Sequence, residues 1–343
     1  MDIHDIARRL NISIGTISRA LNDRAGVSAK TRQRVLEAAK KYGYSPNQSG
    51  RSLRRGATGM IGFMVIPNRD RTTKGEAFFM TIFDGLQSVL ATHGLDLVIH
   101  YCGADQDPEA HVQRIVERRM VDGLIISQTN RSDPRIEYLI QKKLPFIAFG
   151  RSGTRRAHSW ADLDFEGVAE QSIDLLYQLG HRRIAIATAA NDLNFGHLYL
   201  DACRASLARR GITLTDDLIF REPLTEAGGY SLGGRLLTLR DRPTAVALVQ
   251  NTLTLGLYHR LSDARVVPGR DLSIIGFDQS PNGDFLRPSL TQFRLSLAEL
   301  GEWLGGQITA LIEARRAGRQ IQHAHKIWPL QIVPGESAQP PAR

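Results

Sequence analysis

Close to the N-terminus, apolar residues recur with the spacing of a helix. Ile3, Ile6, Ala7 and Leu10 fall at i, i+3, i+4 and i+7 and share one face. Asp2 is placed to cap that helix and Asp5 lies in its first turn, where the helix dipole favours negative charge. Asn11-Ile12 interrupts the pattern. Ser13 then caps a second short helix reaching about Leu21, with Ile17 and Leu21 on one face, and a turn carrying Asn22, Asp23 and Gly26 follows. Ser28 caps a third helix, 29–42, whose Val35, Ala38 and Ala39 point inward. Two short helices joined by a tight turn and braced by a third predict a helix-turn-helix unit.

From Met60 onward the rhythm changes to short apolar runs separated by amphipathic stretches. Runs at 61–66, 95–99, 123–127 and 145–149 predict one set of buried strands, and runs at 183–189, 244–249 and 272–277 a second. Helices are expected between them at 79–93, 108–119, 167–179, 198–210, 227–239 and 253–263. Strands alternating with helices imply right-handed βαβ units and open parallel sheets, which bind ligands beyond the C-terminal ends of their strands. The break near 151–158 divides this region into two Rossmann-like halves facing a cleft. The fold class is therefore α/β: an all-α headpiece followed by a core of two parallel-sheet subdomains.

Composition fits that organisation. A chain of 343 residues accommodates about two domains of ~150 residues and a small appendage. Hydrophobic residues make up 42 % and charged residues 23 %, ordinary for a globular protein, which excludes a disordered or collagen-like chain. No apolar run approaches the ~20 residues that cross a bilayer, and no basic segment precedes an apolar one as in a signal peptide. Cys102 and Cys203 are far apart and read as free, buried thiols. The expectation is a cytoplasmic protein with no membrane partner.

Charge changes the picture once it is located. Up to Gly56 there are twelve Lys and Arg against four Asp and Glu, a balance of +8 in a chain whose total is +9. A concentrated basic segment is the electrostatic footprint of a nucleic-acid contact. The polar face of the second helix suits it. Ser13, Thr16 and Ser18 offer hydroxyls to phosphate oxygens, Ile14 and Gly15 stand where a recognition helix presents base-reading residues, and Arg19 can fork onto a guanine edge. Two common catalytic signatures are missing from the sequence: it has no GxxxxGK[ST] phosphate loop and no HExxH. Gly228-Gly229 and Gly233-Gly234 lie inside a helical stretch, not after a strand, and His181-Arg182-Arg183 reads as a polar loop feeding a strand. No catalytic residue, cofactor or metal is expected.

The segments 2–7, 13–22, 27–32, 43–47 and 51–54 together resemble the headpiece of the lactose/galactose repressor family of bacterial transcription factors. Further on, 119–125, 179–184, 242–246, 267–278 and 288–291 resemble the same family, so the likeness covers essentially the whole chain. What it implies is a DNA-binding headpiece (1–45), a hinge helix and linker (46–58), and a periplasmic-binding-protein-like core. The core's first half would comprise 59–153 with 294–320 and its second 154–293 with 321–336. A helix near 296–317 would return to the first half, and 327–333 would add to the second.

The resemblance further implies a homodimer on a palindromic, double-stranded operator. Asn22, Asn47, Arg51 and Arg54 join the headpiece contacts, and Leu53 would wedge into the minor groove, kinking the duplex. A small effector, most simply a mono- or disaccharide, would occupy the cleft. By position its contacts are Phe78, Phe79, Arg151, Tyr199, Asn251 and Asp278: an aromatic platform with amide, carboxylate and guanidinium groups for hydroxyls. The sequence departs from the family at several of these places. Asn251 is followed by Thr252, Asp278 by Gln279, Arg151 is preceded by Gly150, and Tyr199 stands where an arginine is usual. A nucleoside or sugar-phosphate effector stays open as an alternative, as does a sugar receptor without a regulatory role.

Overall fold

The computed structural model describes residues 3–21, 25–43, 57–66, 76–103, 105–277 and 285–342. It falls into two units, Met1–Thr58 and Gly59–Arg343.

In the first unit, α1 (Ile3–Leu10), α2 (Ile14–Leu21) and α3 (Ala29–Lys41) enclose a small core of Ile6, Ile17, Ala20, Val35, Ala38 and Ala39. The turn between α1 and α2 is three residues long. Asn11 takes a left-handed backbone (φ 52°) there, which asparagine tolerates better than most residues. The N–H of Ile12 reaches back to the Ala7 carbonyl at 3.1 Å, closing the end of α1. Both expected caps that fall on described residues form: Ser13 Oγ accepts from the Thr16 N–H at 3.1 Å and Ser28 Oγ from the Thr31 N–H at 3.2 Å. A helix-turn-helix results, as the spacing predicts.

The second unit holds two six-stranded sheets. The first is built from β1 (Met60–Val65), β2 (Asp96–Tyr101), β3 (Gly123–Ser127), β4 (Phe146–Phe149), β5 (Ser159–Leu163) and β11 (His325–Trp328), in spatial order β11-β5-β4-β3-β1-β2. The second is built from β6 (Ile184–Ala189), β7 (Ile219–Glu222), β8 (Ala245–Leu248), β9 (Ser273–Phe277), β10 (Thr291–Arg294) and β12 (Gln331–Val333), in order β12-β10-β9-β8-β6-β7. All the pairings are parallel except β10 with β12. Strand order reverses between β1 and β3, and again between β6 and β8. Those are the switch points outside which open α/β sheets bind ligands.

The helices are α4 (Glu76–Thr92), α5 (Pro108–Glu117), α6 (Pro134–Lys142), α7 (Phe165–Gln178), α8 (Asn194–Arg209), α9 (Glu226–Thr238), α10 (Asn251–Asp263) and α11 (Leu297–Arg316). Residues of α11 press on α4 with backbone nearly touching backbone: a Cβ on Gly301 would strike the Ile82 carbonyl, and one on Gly85 the Ala298 carbonyl. Gly229 serves α9 and α10 in the same way, since a Cβ there would strike the Leu253 carbonyl, while one on Gly228 would strike the Pro223 carbonyl ahead of α9.

The chain crosses between the halves after β5, after β10 and again between β11 and β12. This corrects two expectations. Strand β5 pairs with β4 and stays in the first sheet, so the first half runs ten residues past the expected boundary at 153. Ser159 and Asp162 break its apolar run and hid it, yet both are buried. The segment 327–333, expected to join the second half, is divided: Ile327 and Trp328 end β11 in the first sheet, and only Gln331–Val333 pairs with β10. An edge strand with alternating exposure, β11 has too little apolar sequence to declare its sheet.

The C-terminal residues close the second half. Ser337 brackets Ile274, its carbonyl accepting from the Ile274 N–H at 2.7 Å and its hydroxyl donating to the Ile274 carbonyl at 2.6 Å. The buried His181 ring bridges Thr244 Oγ1 (2.8 Å) and the Gln339 carbonyl (2.9 Å).

A candidate DNA-reading helix and effector cleft

On α2 the capped first turn faces outward. Ser13, Ile14, Gly15 and Arg19 are exposed, Thr16 and Ser18 half-buried, while Ile17 and Ala20 hold the helix to its neighbours. Arg19 Nη2 lies 3.4 Å from Thr16 Oγ1 and Ser13 Oγ 2.9 Å from the same hydroxyl. Ile14 is 38 % exposed, an apolar side chain turned to water. Gly15 is not demanded by the fold: a Cβ there would meet only Ser13 Oγ, at 3.8 Å. Two arginines of α1 are tied locally, Arg8 to Asp5 at 2.6 Å and Arg9 over the Tyr42 ring at 4.6 Å. Asn22, Asn47, Arg51, Leu53 and Arg54 lie outside the described residues, as does Asp278 of the cleft.

In the core, aromatic rings gather at the C-terminal ends of both sheets. Phe78, near the start of α4, stacks on Phe149 at the end of β4, with centroids 6.3 Å apart and planes 8° from parallel. On the other half, Phe165 at the start of α7 stacks on Phe195 at 5.0 Å and on Phe277, the last residue of β9, at 6.1 Å. Between these groups in sequence stands Arg151. Its Nε donates to Asp162 Oδ2 at 2.8 Å and its Nη2 to Glu166 Oε2 at 2.5 Å. Burial works against the Arg151 charge, but its hydrogen bonds to Glu166 and Asp162 outweigh that and raise its pKa. Asp162 is almost fully buried, and that burial raises its carboxyl above the usual carboxylate range although Arg151 pulls the other way. Two carboxylates therefore surround one guanidinium.

The expected effector residues do not all converge. Phe78 and Arg151 come together around the end of β4. Phe79 is turned to the first half's core, edge-on to Phe63 (5.7 Å) and near-parallel to Phe83 (6.0 Å), so the neighbouring Phe78 is the ring beside Phe149. Arg151 is held by Asp162 and Glu166, not presented as a free fork. Asn251 is half-buried at the first position of α10, just past β8. Tyr199 is a correction. It is fully buried in the hydrophobic core, on the inner stripe of α8 with Leu200, Cys203 and Leu207, its hydroxyl beside Cys203 and Ser172. The helical period puts residue 199 on that inner face. Asp162, Phe165 and Glu166 escape a reading of the sequence that does not see β5, and Asn194 escapes although β6 before it is seen; Phe165-Glu166, just past the end of β5, is the signal that finds two of them.

Comparison with known proteins gives the class and then the family. Residues 2–47 match the helix-turn-helix model described as bacterial regulatory proteins, lacI family, and residues 173–338 a periplasmic binding protein-like domain. The regulator AglR of Rhizobium meliloti is 33 % identical over 81 % of this chain and 78 % of its own, and RafR of Escherichia coli 30 % identical over the full length of both. Among solved structures, the lac repressor dimer bound to operator and anti-inducer superposes with a TM-score of 0.85 at 20 % identity, covering 99 % of each chain. A cellobiose complex of the regulator CelR superposes at 0.72 and 23 %, over 98 % of this chain and 99 % of that one. These two show the shared fold. The chain belongs to the lacI family of bacterial regulatory proteins and is a transcriptional regulator. Among the described residues, no helix is long and apolar enough to cross a membrane.

Proposed function

We infer that this regulator binds a palindromic operator as a dimer through α2 and answers to an uncharged, hydroxyl-rich effector, a mono- or disaccharide, held between the two sheets. The observation that carries the DNA half is the outward face of α2 on a strongly basic headpiece. Ile14 suits a thymine methyl, Arg19 a guanine edge, and Gly15 leaves room for a base pair to come close. The hinge contact expected at Leu53 belongs to the same reading: Leu53→Ala should weaken operator binding by about 1–3 kcal/mol while sparing the core.

The effector half rests on the cleft. The half-buried rings of Phe78 and Phe195, one from each half, offer stacking faces, and the Arg151–Glu166 pair offers a donor and an acceptor side by side for vicinal hydroxyls. Its one guanidinium is matched by two carboxylates, which disfavours a phosphate and so favours a neutral sugar over a sugar phosphate. The fold-mate CelR holds cellobiose.

Two measurements test this reading. Operator affinity should fall steeply with salt and require a two-fold-symmetric site; occupancy of a single half-site by one protomer would overturn it. A thermal-shift screen of sugars, sugar phosphates and nucleosides should raise the melting temperature with neutral sugars. Stabilisation by a phosphate-bearing compound alone would overturn the neutral assignment.

A further inference from the structure

The two halves of the core meet along a line of polar contacts at the C-terminal ends of their sheets. The first half contributes the loop after β3 and the loop after β4; the second contributes the loop after β6 and the first residue of α8. Asn130 and Leu193 form an antiparallel bridge. The Arg131 N–H donates to the Asp192 carbonyl at 3.1 Å, and the Asn194 N–H to the Thr129 carbonyl at 2.9 Å. Asn194 is buried, and its Nδ2 donates to the Arg151 carbonyl at 2.9 Å, an oxygen that also accepts from Thr129 Oγ1 at 2.9 Å.

Each side of this seam is built for it. On the first half, Arg135 is buried with Asp133, donating to both of its carboxylate oxygens and to the carbonyls of Ser127 and Gln128. Asp133 in turn accepts from the Asn130 N–H at 3.0 Å. Gly150 takes a backbone (φ 121°) that other residues avoid, and a side chain there would collide with Thr129. Contacts within the first half thus hold both loops. On the second half, α8 lacks a cap of its own. Its N-cap residue is Leu193, which has no side-chain acceptor, so the first amide of the helix is satisfied by a carbonyl of the opposite half.

We propose that Asn194 is a positioning residue of the effector response: its backbone N–H and side-chain amide clamp Thr129 and Arg151 onto the start of α8, so that opening the cleft uncaps α8 and releases the Arg151 carbonyl in one step. The guanidinium of the same arginine meets Glu166 on the second half, which makes that ion pair depend on the clamp. A ligand that holds the halves together preserves all of these contacts at once, and the seam thereby ties closure to the group that faces it. The inference rests on the cleft being the effector site.

Asn194→Asp in the full chain separates this role from a purely local one. The carboxylate cannot donate to the Arg151 carbonyl, while an acidic residue in the first turn suits the helix dipole, so α8 itself loses nothing. Amide hydrogen exchange is the readout. In the unsubstituted chain the amides of Arg131 and Asn194, on opposite halves, should exchange at matching rates. In the variant both should exchange at least tenfold faster, with Ile186 in β6 unchanged. Faster exchange at Asn194 with Arg131 unchanged would overturn the clamp, as would an Arg131 amide unprotected from the start. Should Asn194→Asp fail to fold, Asn194→Ala gives the same two-sided comparison. This arm uses no ligand and stands even if the sugar reading fails. With a neutral mono- or disaccharide that binds the unsubstituted chain, the variant should bind at least tenfold more weakly at unchanged sugar-free operator affinity; equal sugar affinity would overturn the positioning role.

Discussion

Gly15 and Tyr199 show how far a single position can mislead or inform. Glycine in a helix costs about 0.5–1 kcal/mol relative to alanine, and nothing in the headpiece asks for it at residue 15. Gly15→Ala should therefore stabilise the headpiece slightly and, if DNA comes close there, weaken operator binding. Melting curves and fluorescence anisotropy with operator check the two signs, and an unchanged affinity would remove residue 15 from the interface. Tyr199 carries the opposite lesson. Its place in the family's alignment pointed to the cleft, but Leu200, Cys203 and Leu207 share its helical stripe, and that periodicity was readable all along. Tyr199→Arg would bury an unpaired charge between α7 and α8. It should destabilise by several kcal/mol instead of admitting anions, and denaturant titration of the purified variant measures it. Tyr199→Ala should cost about 3–5 kcal/mol as a large-to-small core change.

At the scale of elements, what the sequence disclosed depended on whether burial was one-sided or complete and on whether polar residues interrupted it. The three headpiece helices and strands such as β3 and β9 are legible, because their apolar residues are periodic or continuous. Strands β5 and β11 are not. In β5 the buried carboxylate of Asp162 accepts from the Leu163 N–H and from Arg151, eleven residues earlier, and no local pattern records the pairing with Arg151. With β5 unseen, half of the cleft's polar cluster went unseen too, whereas Phe78 and Arg151 were found by position. The close helix pairs give a second test. A Cβ on Gly256 would overlap the Glu226 carbonyl and crowd Tyr230, so Gly256→Ala must push α10 off α9. Overpacking of this kind costs about 1–3 kcal/mol, to be read as a lower denaturation midpoint. A midpoint equal to that of the unsubstituted chain would mean the pair yields without strain.

Taken whole, the core keeps several imidazoles neutral. Burial lowers the pKa of His100, His111, His158, His181 and His323, and outweighs the carbonyls of Arg156 and Gln339 that pull His158 and His181 the other way. With folded pKa values below those of the unfolded chain, these histidines bind protons more readily when unfolded. Their contribution to stability is present above about pH 6.5, the unfolded value, and is lost as pH falls below it. Asp162, shifted upward by burial, acts in the opposite direction but is one group against five. The melting temperature should therefore drop between pH 7.5 and 5.5, and a flat profile across that window would contradict the assignment.

The three crossings between the halves also set the order in which the chain can be finished on the ribosome. The headpiece is complete once α3 has emerged, but the first sheet, begun at Met60, must wait for α11 to cover it and for β11 to supply its edge. At a synthesis rate of about 5–20 residues per second, the stretch from Leu163 to Trp328 keeps that sheet incomplete for roughly 10–30 s, while every strand of the second sheet except β12 is made inside the delay. Neither half can be excised as a continuous fragment, and a nascent chain halted before α11 holds two unfinished sheets and a folded headpiece. A DNA-binding unit thus emerges well ahead of the body meant to govern it.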